Sequence, residues 1–175
     1  NQHLLRSDEG EGAIVEPFDI RKALSIKEEV DAVVISDYDK GFLSNSILND
    51  LCSAFKGKPI FVDSKKQDLS SLFGCVIKVN EAEFNNISKP PRDSEIVTTL
   101  GSRGASYRGE IYSTRKAEVF DVCGAGDVFL SALVFGALTY GSIVPAVKFA
   151  NKCASISVSK FGSYVLKEED LEYLI

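Results

Sequence analysis

Asp31-Ala-Val-Val-Ile-Ser-Asp-Tyr38 is a short apolar run rich in β-branched side chains and bounded by charged residues. Such a run predicts a strand buried on both faces, the kind that sits inside a parallel sheet. Upstream, Asp19 can cap a helix over residues 19–30. Downstream, Ser44 opens a second helix over residues 44–57, with Ile47, Leu48, Leu51, Ala54 and Phe55 on one stripe and Gly57 as its stop. Residues 59–64, PIFVDS, read as the next strand. A weaker helical piece over residues 68–73 leads to a strand at 75–80, CVIKVN, and then to a short helix at 81–87. Strands alternating with helices require crossover connections, hence parallel strands with helices on both faces. An α/β fold with a mainly parallel sheet is the expectation.

Working outward, residues 3–17 read as an edge strand or loop interrupted by an acidic, glycine-rich turn. Residues 84–94 carry Pro90-Pro91 and no helical period; about 11 residues is short for a parallel crossover, so residues are expected to be missing there. A strand at 95–100 follows, then two extended segments within 106–120 joined by an Arg108-Gly109 turn. The last third is helical: residues 124–141, then 142–160 with Ser142 as cap and Pro145 in the first turn, then 167–175. No internal repeat or low-complexity linker divides the chain, so residues 1–175 are expected to form one domain.

The 175 residues are 45% hydrophobic and 26% charged, an ordinary globular composition that excludes disordered, collagen-like and coiled-coil chains. The net charge of −5 removes the cationic field that non-specific nucleic-acid binding needs, and disfavours an anionic membrane surface. The sequence contains neither an apolar run of about 18 residues nor a charged-then-apolar leader. Cys52, Cys75, Cys123 and Cys153 form no C-x-x-C pair, and His3 is the one histidine, so zinc is disfavoured; reduced, core-filling thiols in a cytoplasmic protein are expected. Methionine is absent, so the chain is expected to be part of a longer protein.

Chemistry concentrates in Asp121-Val-Cys-Gly-Ala-Gly-Asp127, which precedes a long apolar helix. Gly124, Ala125 and Gly126 let the backbone approach a ligand, and the helix start presents unpaired N–H groups and a partial positive charge to a phosphate. A carboxylate in an anion-attracting turn conflicts with that role unless it does chemistry. Asp127 could accept the proton of a hydroxyl attacking the phosphorus held by those amides. The plain alternative is an ordinary strand-to-helix turn with a first-turn carboxylate favoured by the helix dipole.

The segment D-V-C-G-A-G-D-V-F resembles the C-terminal signature D-T-x-G-A-G-D-x-F of the ribokinase, or PfkB, family of carbohydrate kinases, with Val122 in place of Thr. Asn80-Glu-Ala-Glu83 is similar to the family's N-x-x-E, which implies that Asn80 and Glu83 serve the magnesium and phosphate region. Thr98-Thr-Leu-Gly-Ser-Arg-Gly104 resembles the family's T-L-G-S-R-G turn, which implies nucleotide contacts for Thr99 and Gly101. Phe149-Ala-Asn151 matches the family's Asn near the adenine. The four motifs fall in the family's order over residues 31–175. Ser36-Asp-Tyr-Asp-Lys-Gly41 and Phe61-Val-Asp-Ser-Lys65 are similar to stretches of the kinases acting on heptose 7-phosphate, with Ser64 in place of Pro; Lys40 is the candidate contact to a sugar phosphate. Asp121 and Phe161-Gly-Ser163 resemble the family's monovalent-cation loop. Residues 1–8 resemble its mid-chain strand. The family's N-terminal part and sugar lid have no counterpart, and the stretch between N-x-x-E and T-L-G is curtailed.

The resemblance implies a ribokinase-like fold and the C-terminal, nucleotide-binding and catalytic part of a kinase. Its expected ligands are ATP, Mg²⁺, K⁺ beside Asp121, and a sugar or sugar phosphate; it allows a homodimer. The rival readings are a non-catalytic nucleotide-binding module and a kinase for another sugar, such as ribose or fructose phosphate. A Rossmann dehydrogenase fails because no G-x-G-x-x-G follows an early strand.

Overall fold

The computed structural model describes residues 15–114 and 118–171. Its strands β1 (Val33–Asp37), β2 (Ile60–Ser64), β3 (Val76–Asn80), β4 (Glu95–Thr99), β5 (Ala105–Tyr107) and β6 (Glu110–Tyr112) lie in one sheet in chain order. β1 to β4 are parallel, and β5 and β6 return antiparallel through the Arg108-Gly109 turn.

The helices are α1 (Ile20–Leu24), α2 (Asn45–Ala54), α3 (Glu81–Asn85), α4 (Ala125–Tyr140), α5 (Ile143–Val158) and α6 (Glu168–Leu171). Leu48, Leu51, Cys52 and Phe55 of the α2 region pack with Ile35, Val62, Ile77 and Val79, forming one core. Phe61, Val97 and Ala105 pack with Phe129, Leu133, Val147 and Cys153 of α4 and α5 on the other side. Both faces are therefore covered, as the alternating pattern requires.

Four local expectations change. β1 is an edge strand rather than one buried on both faces: Val34 is 52% exposed while Ile35 is buried, so the strand alternates. β2, paired on both sides, is the strand buried at every position. Residues 68–73 form no helix, because the Asp68 carboxylate accepts from the backbone N–H and hydroxyl of Ser70 and folds the chain into a turn. The first and third helices are shorter than their patterns: Asp19 caps α1, but a separate 3₁₀ turn at Lys27–Glu29 ends that segment, and α3 stops at Asn85. Ser142 occupies the cap position of α5 without a side-chain cap bond.

Residues 81–94 do complete the crossover between the parallel β3 and β4. The coil after α3 is held to the β2–β3 connection by Leu69 N–H donating to Lys89 O, Ser88 N–H to Gln67 O and Arg92 N–H to Leu72 O. The expected elements at residues 1–14 and 172–175 lie outside the described residues. Cys52, Cys75 and Cys153 are buried and outside any disulfide, as the core-filling reading expected; Cys123 is half-buried and likewise forms no disulfide.

Candidate active site

The start of α4 is built by its own turn. Gly124 takes a left-handed conformation (φ 73°) that admits glycine readily, and α4 begins there without a side-chain cap bond; Ala125 N–H donates to Val122 O at 3.2 Å, and no side chain caps the rest of the first turn. The Asp121 carboxylate accepts from Cys123 N–H (2.9 Å) and Gly162 N–H (3.1 Å), which closes the turn and ties it to the chain after α5. Ser163 lies beside Gly124, 3.6 Å from where a Cβ would stand. Asp121 and Phe161-Gly-Ser163 are thus brought together. Asp127 is exposed in the first turn of α4.

A cavity of about 400 Å³ opens against this turn, within the usual range for a small-molecule site. Thr99, Gly101, Ala125, Gly126 and Asn151, nominated from three separate motifs, all line it, with Phe129, Ala154 and Val158 adding apolar wall. Asn151 is buried rather than solvated, and its Nδ2 donates to Tyr112 O at 2.7 Å, fastening α5 to the end of β6. A wider groove of about 880 Å³ along β4–β6, with Glu81, Ile96 and Ile111 in its wall, includes none of the nominated residues.

Asn80 and Glu83 sit next to the cavity wall, since Asn80 is in register with Thr99, but neither lines it. They form a reciprocal capping box: Asn80 Oδ1 accepts from Glu83 N–H and Glu83 Oε2 from Asn80 N–H, both at 2.8 Å. Glu83 Oε1 accepts from Lys65 Nζ at 2.5 Å. Burial works against the Lys65 charge, but the bond to Glu83 and the nearby Asp63 more than offset it, so its pKa is raised. A hard oxygen donor suited to Mg²⁺ is present in Glu83. With both Glu83 oxygens engaged, a metal would meet that side chain through water. Among the described residues no cluster of three His, Cys, Asp or Glu is assembled. Lys40 is exposed on the connection from β1 to α2 and does not line the cavity.

Residue-by-residue reading missed a polar layer at the strand ends. Asp37 accepts from Ser64 Oγ (3.0 Å) and lies 3.7 Å from Lys66 Nζ, and Lys66 also pairs with Asp39. Asp63 and Lys78 form a buried pair at 2.7 Å. The available signal was a charge inside an otherwise apolar strand, which a folded chain must pair.

The fold and this placement of a glycine turn, at a helix start beside a slot near the parallel strand ends, define a ribokinase-like α/β protein. The chain is similar to Arabidopsis thaliana ribokinase complexed with ribose and ATP (TM-score 0.69, 23% identity, 87% of this chain and 58% of that one). It is also similar to Escherichia coli phosphofructokinase-2 in complex with potassium (TM-score 0.74, 19% identity, 89% and 60%). The chain belongs to the pfkB family of carbohydrate kinases, which it matches over residues 28–170. Among curated relatives, the bifunctional protein HldE of a Nitratiruptor species is 29% identical over 98% of this chain. The HldE proteins of a Caulobacter species and of Pseudomonas putida are each 32% identical, over 82% and 100% of it. The chain spans 42%, 35% and 42% of the length of these three relatives.

Proposed function

We propose that this chain is the nucleotide-binding and catalytic part of an ATP-dependent sugar kinase, acting on a sugar phosphate such as heptose 7-phosphate. The observation that carries the reading is the single cavity shared by Thr99, Gly101, Ala125, Gly126 and Asn151, closed on one side by an uncapped helix start. The apolar wall suits a nucleotide base, and the amides of Gly124 to Gly126 suit the phosphates. Those amides would stabilise charge on the transferring phosphoryl group, while Asp127 takes the proton of the attacking sugar hydroxyl as the new O–P bond forms and the bond from the terminal phosphorus to the bridging oxygen breaks, releasing ADP.

Magnesium, when bound with the nucleotide, would supply neutralising charge; Glu83 is the residue that would hold it, through water. The Asp121 turn and its neighbour Ser163 would accommodate a potassium ion. Among the described residues no helix is long and apolar enough to cross a membrane. A cytoplasmic setting agrees with four cysteines that form no disulfide.

In the complete protein, Glu83→Gln is expected to raise the Mg²⁺ concentration needed for half-maximal activity, because an amide is a poorer partner for hard Mg²⁺ or its waters. Superimposed Mg²⁺ titrations of variant and parent would reduce Glu83 to its capping role. For the substrate, a panel on the complete protein is expected to favour heptose 7-phosphate over ribose, adenosine and unphosphorylated hexoses. The motive is the similarity of Ser36–Gly41 and Phe61–Lys65 to kinases of that substrate. Ribose or adenosine outperforming every sugar phosphate would overturn the substrate assignment.

A further inference from the structure

Lys78 lies in the middle of β3 between the fully buried Ile77 and Val79 and is itself 3% exposed. Lysine is rarely buried unless paired, and here Nζ donates to Asp63 Oδ2 at 2.7 Å from the facing position of β2. The ammonium also presses on the glycine turn. A Cβ built on Gly126 would stand 3.0 Å from Lys78 Nζ and 3.8 Å from Cε, so the missing side chain is what admits the lysine head.

A cation at this place is electrostatically unfavourable for the empty fold, because the start of α4 already carries partial positive charge. A buried ion pair is also a weak source of stability compared with apolar residues of similar volume. Both costs become useful if an anion is bound at the turn. Asp63 does not saturate the lysine: an ammonium has three donors, and the bond to Asp63 uses one. Asp63 itself is divided, since its buried Oδ1 has no hydrogen-bond partner and faces Lys65 Nζ only at 3.5 Å.

We propose that Lys78 is a phosphate-binding residue of the nucleotide site, its ammonium held beneath the glycine turn by Asp63 and shared with the phosphate that the turn binds. This assignment rests on the nucleotide reading of the adjoining cavity. Lys78 supplies a fixed point charge from the sheet side while the amides of Gly124 to Gly126 supply directional donors. Asp63 keeps the ammonium in place and limits repulsion from the helix start when no anion is present.

The test compares ATP with adenosine, both titrated calorimetrically against the parent, Lys78→Gln, and the neutral pair Lys78→Gln/Asp63→Asn. The neutral pair avoids stranding a buried carboxylate, which the single change would do. Parent protein is expected to bind ATP more tightly than adenosine. The neutral pair is expected to lose about 10- to 100-fold in ATP affinity, the size of a charge-assisted hydrogen bond, with adenosine affinity within about threefold of parent. Unchanged ATP affinity would leave Lys78 as a structural ion pair and overturn the assignment. An equal fall for ATP and adenosine would overturn it as well, since the change would then act through the shape of the site. A parent that binds neither ligand would instead refute the nucleotide reading, and the role of Lys78 with it.

Discussion

Asp127→Asn in the complete protein is expected to lower kcat by at least about 10², with ATP affinity within a few fold of parent, because general base catalysis contributes about 10² to 10⁴. The side chain is exposed in the first turn of α4, one residue beyond Gly126, which lines the cavity. Asn keeps the size and removes the proton acceptor. A first-turn carboxylate also favours the helix dipole by about 0.3–1 kcal/mol, so a small loss of stability is expected alongside the kinetic effect. The two roles separate cleanly: steady-state kinetics read the base, and thermal unfolding reads the dipole. Near-normal turnover with a slightly lowered Tm would leave Asp127 as a first-turn carboxylate and nothing more.

Gly104→Ala is expected to be the most damaging single-methyl substitution near the site. Gly104 has φ 94° and ψ −129°, a region essentially closed to residues with a Cβ. The added Cβ would lie 2.2 Å from Tyr112 O and 2.9 Å from Thr114 N, both backbone atoms that cannot swing away. Tyr112 O is also the acceptor for Asn151 Nδ2, so relieving the clash displaces the fastening between β6 and α5 on the cavity wall. Strain of about 1–3 kcal/mol plus the steric term predicts a total of about 3 kcal/mol or more. For a chain of this size that lowers Tm by roughly 6–12 °C, with weaker ATP binding at temperatures where the variant is folded. A Tm within about 2 °C of parent would show that the turn can rearrange, and would separate Gly104 from the integrity of the cavity.

The contrast between these two residues shows what local sequence conveys. Asp127 was legible because a carboxylate in a glycine turn conflicts with the turn's own attraction for anions. Gly104 was present in the T-L-G-S-R-G stretch, but its importance depends on a contact with Tyr112, which approaches only after the β5–β6 hairpin forms. The parallel sheet was legible from apolar runs separated by helical periods. The edge position of β1 was not, because a run such as Val33-Val34-Ile35 gives no sign of which neighbours will cover its second face. Residues 68–73 have helical spacing, yet the Asp68 side chain captures Ser70 and wins locally.

The polar layer was hidden for a related reason. Lys78 and Asp63 are 15 residues apart in sequence, and only the β2–β3 register places them face to face. Asn80 and Glu83 carry the opposite lesson: their spacing suits a metal-region motif and a capping box alike, and the structure forms the box. The short crossover over residues 81–94 closes through coil contacts.

In the proposed kinase the cavity beside Gly124 to Asp127 holds the nucleotide with its terminal phosphate at the glycine turn. A crystal structure of the protein with Mg²⁺ and a non-hydrolysable ATP analogue tests it directly. The base is expected between the Thr99–Gly101 and Asn151–Ala154 walls, the terminal phosphate on the amides of Gly124 to Gly126, and the Asp127 carboxylate facing the open side of that phosphate. Nucleotide bound elsewhere, for example in the groove along β4–β6, or a cavity that stays empty at millimolar analogue, would contradict it.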